Sequence, residues 1–204
     1  MMTKPLHAVA VLAAVAASAG ASANLMYASG VANFSQGLQK NNAAVPLDRS
    51  NPAKALGAPQ NNDTMNFVSL GFGGSLVLTF DTWFGGSVTV WETTYGNPSG
   101  HKEAADVFVG YGSTWDTAQF WHVGLLQNTA DGAAMSLALA EQASGREAFN
   151  FLKIVDATNP AFHGASGDGF DVDGVMAELR TVPAPGGVAL AAALGCCWMR
   201  RRRV

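Results

Sequence analysis

The sequence predicts an all-β chain folded as a two-sheet β-sandwich, flanked by an N-terminal signal helix and a C-terminal membrane-sorting helix. Three observations predict the sandwich. From Asn66 onward, short runs of apolar–polar alternation recur at close spacing, separated by Gly, Asn and Asp turns. Val, Phe, Trp and Thr, which favour pleated strands, fill those runs. The 23 glycines among 204 residues suit a fold with many turns better than a helical one.

The elements follow in order. Asn24 to about Pro59 is rich in Asn, Ala, Ser and Gly without a helical period, and reads as one strand and an irregular loop. Phe67–Leu70 is a strand, and Gly71-Phe72-Gly73-Gly74-Ser75 reads as a tight hairpin turn. In Ser75–Phe80 alternation puts Leu76, Leu78 and Phe80 on one face. Ser87–Glu92 puts Val88 and Val90 on one face, Thr89 and Trp91 on the other. Asp106–Tyr111, Gln119–Gly124, Phe149–Val155 and Val172–Leu179 are further strands, and Ala134–Gln142 is the one helix expected in the body.

The two ends differ from this body. Lys4 and His7 form a basic n-region, Ala8–Ala17 an apolar h-region, and Ala21-Ser22-Ala23 a small-residue cleavage site. The first 23 residues therefore read as a secretory signal cut before Asn24, with signal peptidase as the partner. Residues 24–180 are the body, its core spanning about 56–179, and residues 181–204 form the third part. There Val182, Pro183, Ala184 and Pro185 precede an apolar run to Met199 and then Arg200, Arg201, Arg202 and Arg203. From Gly186 to Met199 a helix would span ~21 Å, short of the ~30 Å hydrocarbon core. Snorkelling arginine stems extend that reach, and the positive-inside rule keeps the arginines cytoplasmic.

This tail resembles the PEP-CTERM class of bacterial sorting signals, with Ala184 where the commonest form has Glu. The resemblance implies recognition by an exosortase-type membrane transpeptidase, cleavage near Pro183–Pro185, transient anchoring in the inner membrane, and a cell-surface or extracellular destination in a biofilm matrix. Leu56-Gly57-Ala58-Pro59, Val68–Leu76, Val90-Trp91-Glu92, Ile154-Val155-Asp156 and Gly169–Val175 occur in order along the body. This series is similar to a recurrent body of exported PEP-CTERM proteins and to galactose-binding-like jelly rolls, which implies a jelly-roll fold and no defined activity.

Charge separates the parts further. Lys4 and Arg200–Arg203 supply five of the 12 basic residues, whereas all 15 Asp and Glu lie in the body, which carries seven basic residues and a formal −8. An acidic body without a Lys/Arg patch argues against nucleic-acid binding. Cys196 and Cys197 both lie in the tail, so the body has no disulfide, thiol nucleophile or Cys-based zinc site.

The best chemical candidate is the acidic group Asp168, Asp171 and Asp173, joined by Asp63 or Glu92 where the strands bring them together. Hard oxygen donors suit Ca²⁺, which takes about 6–8 of them. Asp171 and Asp173, at i and i+2, share a strand face. The EF-hand template fails, because Arg180 falls where its bidentate Glu belongs. The competing reading is that these aspartates bond loop N–H groups or face water. Glu92 with Glu103 forms a weaker candidate, a glycosidase pair. His101, His122 and His163 have no zinc-ligand spacing, and no nucleophile elbow or phosphate loop is present. Among the aromatics, Tyr95 and Trp115 lie in polar stretches and are candidates for sugar contact, the others for the core. Together these features lead to the expectation of a non-enzymatic surface or matrix protein; the alternative is a calcium-assisted carbohydrate-binding module for extracellular polysaccharide.

Overall fold

A computed structural model describes residues 24–60, 65–93, 99–100, 102–127 and 132–180. The signal peptide, sorting tail, Asp63, Tyr95 and His101 lie outside these residues. Among the described residues no helix is long and apolar enough to cross a membrane.

Among the described residues nine antiparallel strands form one hydrogen-bonded network: β1 (Leu25–Tyr27), β2 (Gly30–Ser35), β3 (Val68–Ser69), β4 (Ser75–Glu92), β5 (Ala104–Tyr111), β6 (Gln119–Gln127), β7 (Ala133–Ser136), β8 (Phe149–Asp156) and β9 (Asp171–Leu179). The 18-residue β4 organises them. Its first half pairs with β2 and β8, and β8 continues to β5 and β6. Its second half pairs with β7 and β9, and β9 also takes β1 and β3. Register breaks between Thr79 and Phe84, and between Gly85 and Val88, mark the corner where β4 passes from one layer to the other. Bulges and bends of this kind let one strand serve two packed sheets.

The inward faces meet in one apolar core. Leu76, Leu78, Val107, Val109, Leu152 and Ile154 come from the first layer, and Val88, Val90, Val175 and Ala177 from the second. The predicted alternation in both halves of β4 is therefore realised, with Leu76, Leu78, Val88 and Val90 buried. Three local expectations change. The two predicted strands on either side of Asp81–Gly86 are one bent strand. Gly71–Gly74 does form a turn, closed by the Gly74 N–H on the Gly71 carbonyl at 3.0 Å. It is not a hairpin, because β3 pairs with β9 while the start of β4 pairs with β2 and β8. The predicted helix begins late: α1 spans Ala138–Ser144, and Ala133–Ser136 is drawn into β7 by pairing with Ser87–Val90. The helix ends on Gly145 in the left-handed conformation, φ 67°.

The register also fixes the two ends of the sandwich. Ser75 lies opposite Val155, Ala105 opposite Asp156, Ala104 opposite Gln127, and Glu92 opposite Val172. The end of β4, the starts of β5 and β9, and the end of β8 thus share one end. The β4 corner, the β5–β6 connection and α1 lie at the other.

Candidate functional site, a buried carboxylate cluster

Six buried carboxylates gather at the first of these ends: Glu92, Glu103, Asp156, Asp168, Asp171 and Asp173. Strand geometry puts them there. Glu92 closes β4, Asp171 opens β9 beside Ser69, Asp156 closes β8, and Glu103 precedes the first residue of β5. The segment after β8 returns through Asp168 into β9.

Asp156, Asp168 and Asp173 bond to groups outside the cluster. Asp156 accepts from the backbone N–H groups of Gly73 and Phe170, each at 2.9 Å, and of Thr158 at 3.4 Å. Gly169, at φ +78°, makes the Phe170 contact possible. A Cβ there would lie 2.7 Å from Asp156 Oδ1, so both the backbone conformation and the space require glycine. Asp168 forms an ion pair with Arg49 at 2.9 Å. Asp173 Oδ2 accepts from the Gln60 N–H at 3.0 Å.

Glu92, Glu103 and Asp171 form the remaining group. One carboxylate oxygen from each lies within 4.8 Å of the others. Glu103 and Asp171 are only 6% and 4% exposed. Among the described residues Glu103 Oε2 and Asp171 Oδ1 have no hydrogen-bond partner. Burial, the Glu92 hydrogen bond and the charges of Glu92, Asp168 and Asp156 push the Glu103 carboxyl from its ordinary 4.5 to about 10. Burial and the charges of Glu103 and Asp168 hold Asp171 well above the ordinary carboxylate range. Asp168 is raised by burial against the pull of Arg49, and Asp156 by burial against its hydrogen bonds.

Full ionisation of the trio is costly. Two like charges at this spacing repel by about 3 kcal/mol even at an effective dielectric near 20. Either protons or a cation must neutralise the group. Ca²⁺–oxygen distances of about 2.3–2.6 Å make two opposed contacts span about 5 Å, which the trio matches, and three bidentate carboxylates supply up to about six oxygens.

The structure thus brings together only two of the four sequence-predicted ligands, Glu92 and Asp171. Asp168 is engaged by Arg49 and Asp173 by Gln60. The i, i+2 spacing correctly put Asp171 and Asp173 on one strand but did not identify the residue that completes the group. That residue is Glu103, singled out in the sequence only as a glycosidase partner of Glu92. The two glutamates are adjacent, yet both are buried, whereas a glycosidase pair flanks a substrate bond. The His122 ring nitrogen Nε2 lies 2.8 Å from Asp106 on the exterior, while His163 Nδ1 lies 3.9 Å from Glu103.

The aromatics follow the expected division only in part, because Tyr111, expected in the core, is exposed. Trp121 packs on Phe149 and Trp91 on Tyr27, at centroid separations of 5.9 and 6.4 Å. Trp115, 38% exposed, lies in the β5–β6 connection at the end opposite the carboxylates. At that end Trp83 and Tyr111 stack 5.2 Å apart, with the Arg146 guanidinium 3.6 Å from the Tyr111 centroid.

No family model matches the chain, and neither does any curated protein sequence. Among solved structures the chain is similar to GH31 CBM32-2 bound to GalNAc, at TM-score 0.41 and 11% identity over 78% of this chain and 100% of that one. It is also similar to the CBM32 of AlyQ in complex with 4,5-unsaturated mannuronic acid (TM-score 0.36, 11% identity, 76% and 99% covered). Reduced XRCC1 bound to the DNA polymerase β catalytic domain gives 0.38 and 14%, with 77% and 100% covered. These likenesses are too distant to assign a family or a ligand.

The cluster sets a pH dependence. Without a cation, folded Glu103 keeps a proton between its ordinary 4.5 and about 10, where the unfolded chain has released it. Stability therefore falls as pH rises through that window. The melting temperature of chelator-treated protein is expected to drop between about pH 5 and about pH 9, and Glu103→Gln to flatten the slope. A wild-type midpoint that rises across the window contradicts this.

Proposed function

We propose that the chain is a non-enzymatic module of the cell surface or extracellular matrix, with a jelly-roll-type sandwich completed by Ca²⁺ at Glu92, Glu103 and Asp171. One observation carries the reading: three buried carboxylates share one small space, and Glu103 Oε2 and Asp171 Oδ1 lack hydrogen-bond partners among the described residues. A hard dication neutralises such a group where protons do so only by removing donor oxygens. Ca²⁺ suits the site better than Mg²⁺, which demands a tight octahedron and retains its waters. The burial of Glu92 supports the non-enzymatic reading, since a glycosidase needs both of its carboxylates on a substrate-accessible face. Export rests on the signal at residues 1–23 and the sorting tail at residues 181–204.

Ca²⁺ at about 100-fold excess over its Kd is expected to stabilise the protein by about 2.7 kcal/mol, or roughly 5–10 °C in Tm. Glu103→Gln and Asp171→Asn should abolish the shift, and an unchanged wild-type midpoint rejects the site. The Gln variant keeps the shape of a protonated Glu103, so it separates lost cation binding from lost folding.

Fractionation of the native host followed by mass spectrometry tests the export half. The expected product starts at Asn24, ends near Pro183–Pro185, and lies outside the inner membrane. Recovery of the intact chain from the cytosol overturns it.

A second reading, a carbohydrate-binding module for extracellular polysaccharide, is favoured by the exposed Trp115 and Tyr111, with the half-buried Trp83 beside Tyr111. Flat rings offer apolar faces to pyranoses, and Arg146 supplies donors beside them. Retention on immobilised host polysaccharide is expected to fall about tenfold in Trp115→Ala, the scale of one lost aromatic contact. No retention of the wild-type protein rejects this reading.

A further inference from the structure

A cavity of about 590 Å³ opens beside the carboxylate cluster, within the usual ~300–1,000 Å³ range of small-ligand sites. Lys102, Glu103, Gln127, Asn159 and Phe162 line it. Backbone connections brace its wall. The Ala104 N–H donates to Thr158 Oγ1 at 3.1 Å, and the Ala157 N–H to the Ala104 carbonyl at 2.8 Å. His163 Nε2 lies 3.2 Å from the Lys102 carbonyl. Asn159 Oδ1 accepts from the Ala161 N–H at 2.9 Å, which leaves the Nδ2 amide as its remaining donor.

Two features select a ligand chemistry. Phe162 is 63% exposed, an unusual state for a phenyl ring, with the Lys102 ammonium 5.1 Å from its centroid. Among the described residues Lys102 makes no ion pair, so its charge is available to an anion. Aromatic face, amide groups and one ammonium together match a pyranose bearing a carboxylate: the ring stacks, the hydroxyls bond to Gln127 and Asn159, and the carboxylate meets Lys102. The net negative body does not forbid this, because its repulsion is screened beyond about 8 Å at physiological salt.

We propose that this cavity binds a uronate residue and that Ca²⁺ controls its affinity through Glu103, which belongs to both the cavity wall and the carboxylate trio. The coupling rests on the cation reading; the uronate preference does not. With the dication in place Glu103 is drawn to Glu92 and Asp171, which fixes the stretch of cavity wall that it shares with Lys102.

Calorimetric titration of the purified full-length chain with methyl β-glucuronide and methyl β-glucoside, in Ca²⁺ and in chelator, tests both parts. The expected result in Ca²⁺ is at least about tenfold tighter binding of the glucuronide. Lys102→Ala should remove that preference while leaving the glucoside affinity unchanged, and Phe162→Ala should weaken both sugars; both surface variants should melt like the parent. Equal affinity for the two sugars, no binding of either, or an unaltered preference in Lys102→Ala overturns the uronate site. Glucuronide affinity unchanged by chelation overturns the coupling. If Ca²⁺ leaves the melting temperature unmoved while the glucuronide preference persists, the cation reading fails and the uronate site stands.

Discussion

Packing so many carboxylates into one end of a sandwich is the constraint around which the rest of the structure is arranged. A buried charge that is neither paired nor hydrogen-bonded costs far more than a domain of this size can absorb. Each of the six therefore needs its own remedy. Asp156 takes three backbone N–H groups, Asp168 takes Arg49, and Asp173 takes the Gln60 amide. Glu92, Glu103 and Asp171 converge on one another. Their mutual proximity is unfavourable unless something positive joins them, which distinguishes this group from a solvated acidic patch. Arg49 is ion-paired at 2.9 Å to Asp168, and its pull on Asp171 is the smallest of the influences there, outweighed by burial.

The path of β4 is what makes the convergence possible. Glu92 reaches the cluster only because β4 descends one layer, turns at Asp81–Gly86 and returns up the other. Asp171 arrives by pairing of β9 with β3 and with the end of β4, and Glu103 by its place at the start of β5 in the opposite layer. The site is thus stitched across both sheets, and any ligand bridging Glu92, Glu103 and Asp171 ties the layers together. A cation bound there would be structural first, with an effect on stability that is independent of any sugar.

Much of the layer structure was legible in the sequence because it depends on local alternation. Leu76, Leu78 and Phe80, and then Val88 and Val90, follow the period of two, and each is buried where that period puts it. The continuity of β4 was not legible, since Gly85 and Gly86 look like a break between strands and only pairing with two different layers makes them a corner. The helix start was misjudged for a related reason: Ala134–Ser136 has helical composition, but an open edge on β4 recruits it as a strand. For the site, the sequence suggested Asp168, Asp171 and Asp173 with Glu92. Non-local pairing groups Glu92 and Asp171 with Glu103. The one available hint to Glu103 was an acidic residue just before a run of strict alternation, the place where a strand enters the sandwich.

The two ends of the sandwich have different chemistry, and this bears on how the readings relate. Acids and the Lys102–Phe162 cavity occupy one end; Trp83, Tyr111, Trp115 and Arg146 occupy the other. At the second end Arg146 lies on one aromatic ring of a stacked pair, so part of the aromatic surface is already covered within the protein. At the first end Phe162 is more exposed and opens onto a defined cavity. A ligand there would contact a wall that the carboxylate trio also holds, whereas one at the aromatic end would sit a full strand length from that trio. Cation dependence of sugar binding therefore discriminates between the ends: linkage requires a shared element, and Glu103 belongs to the first end alone.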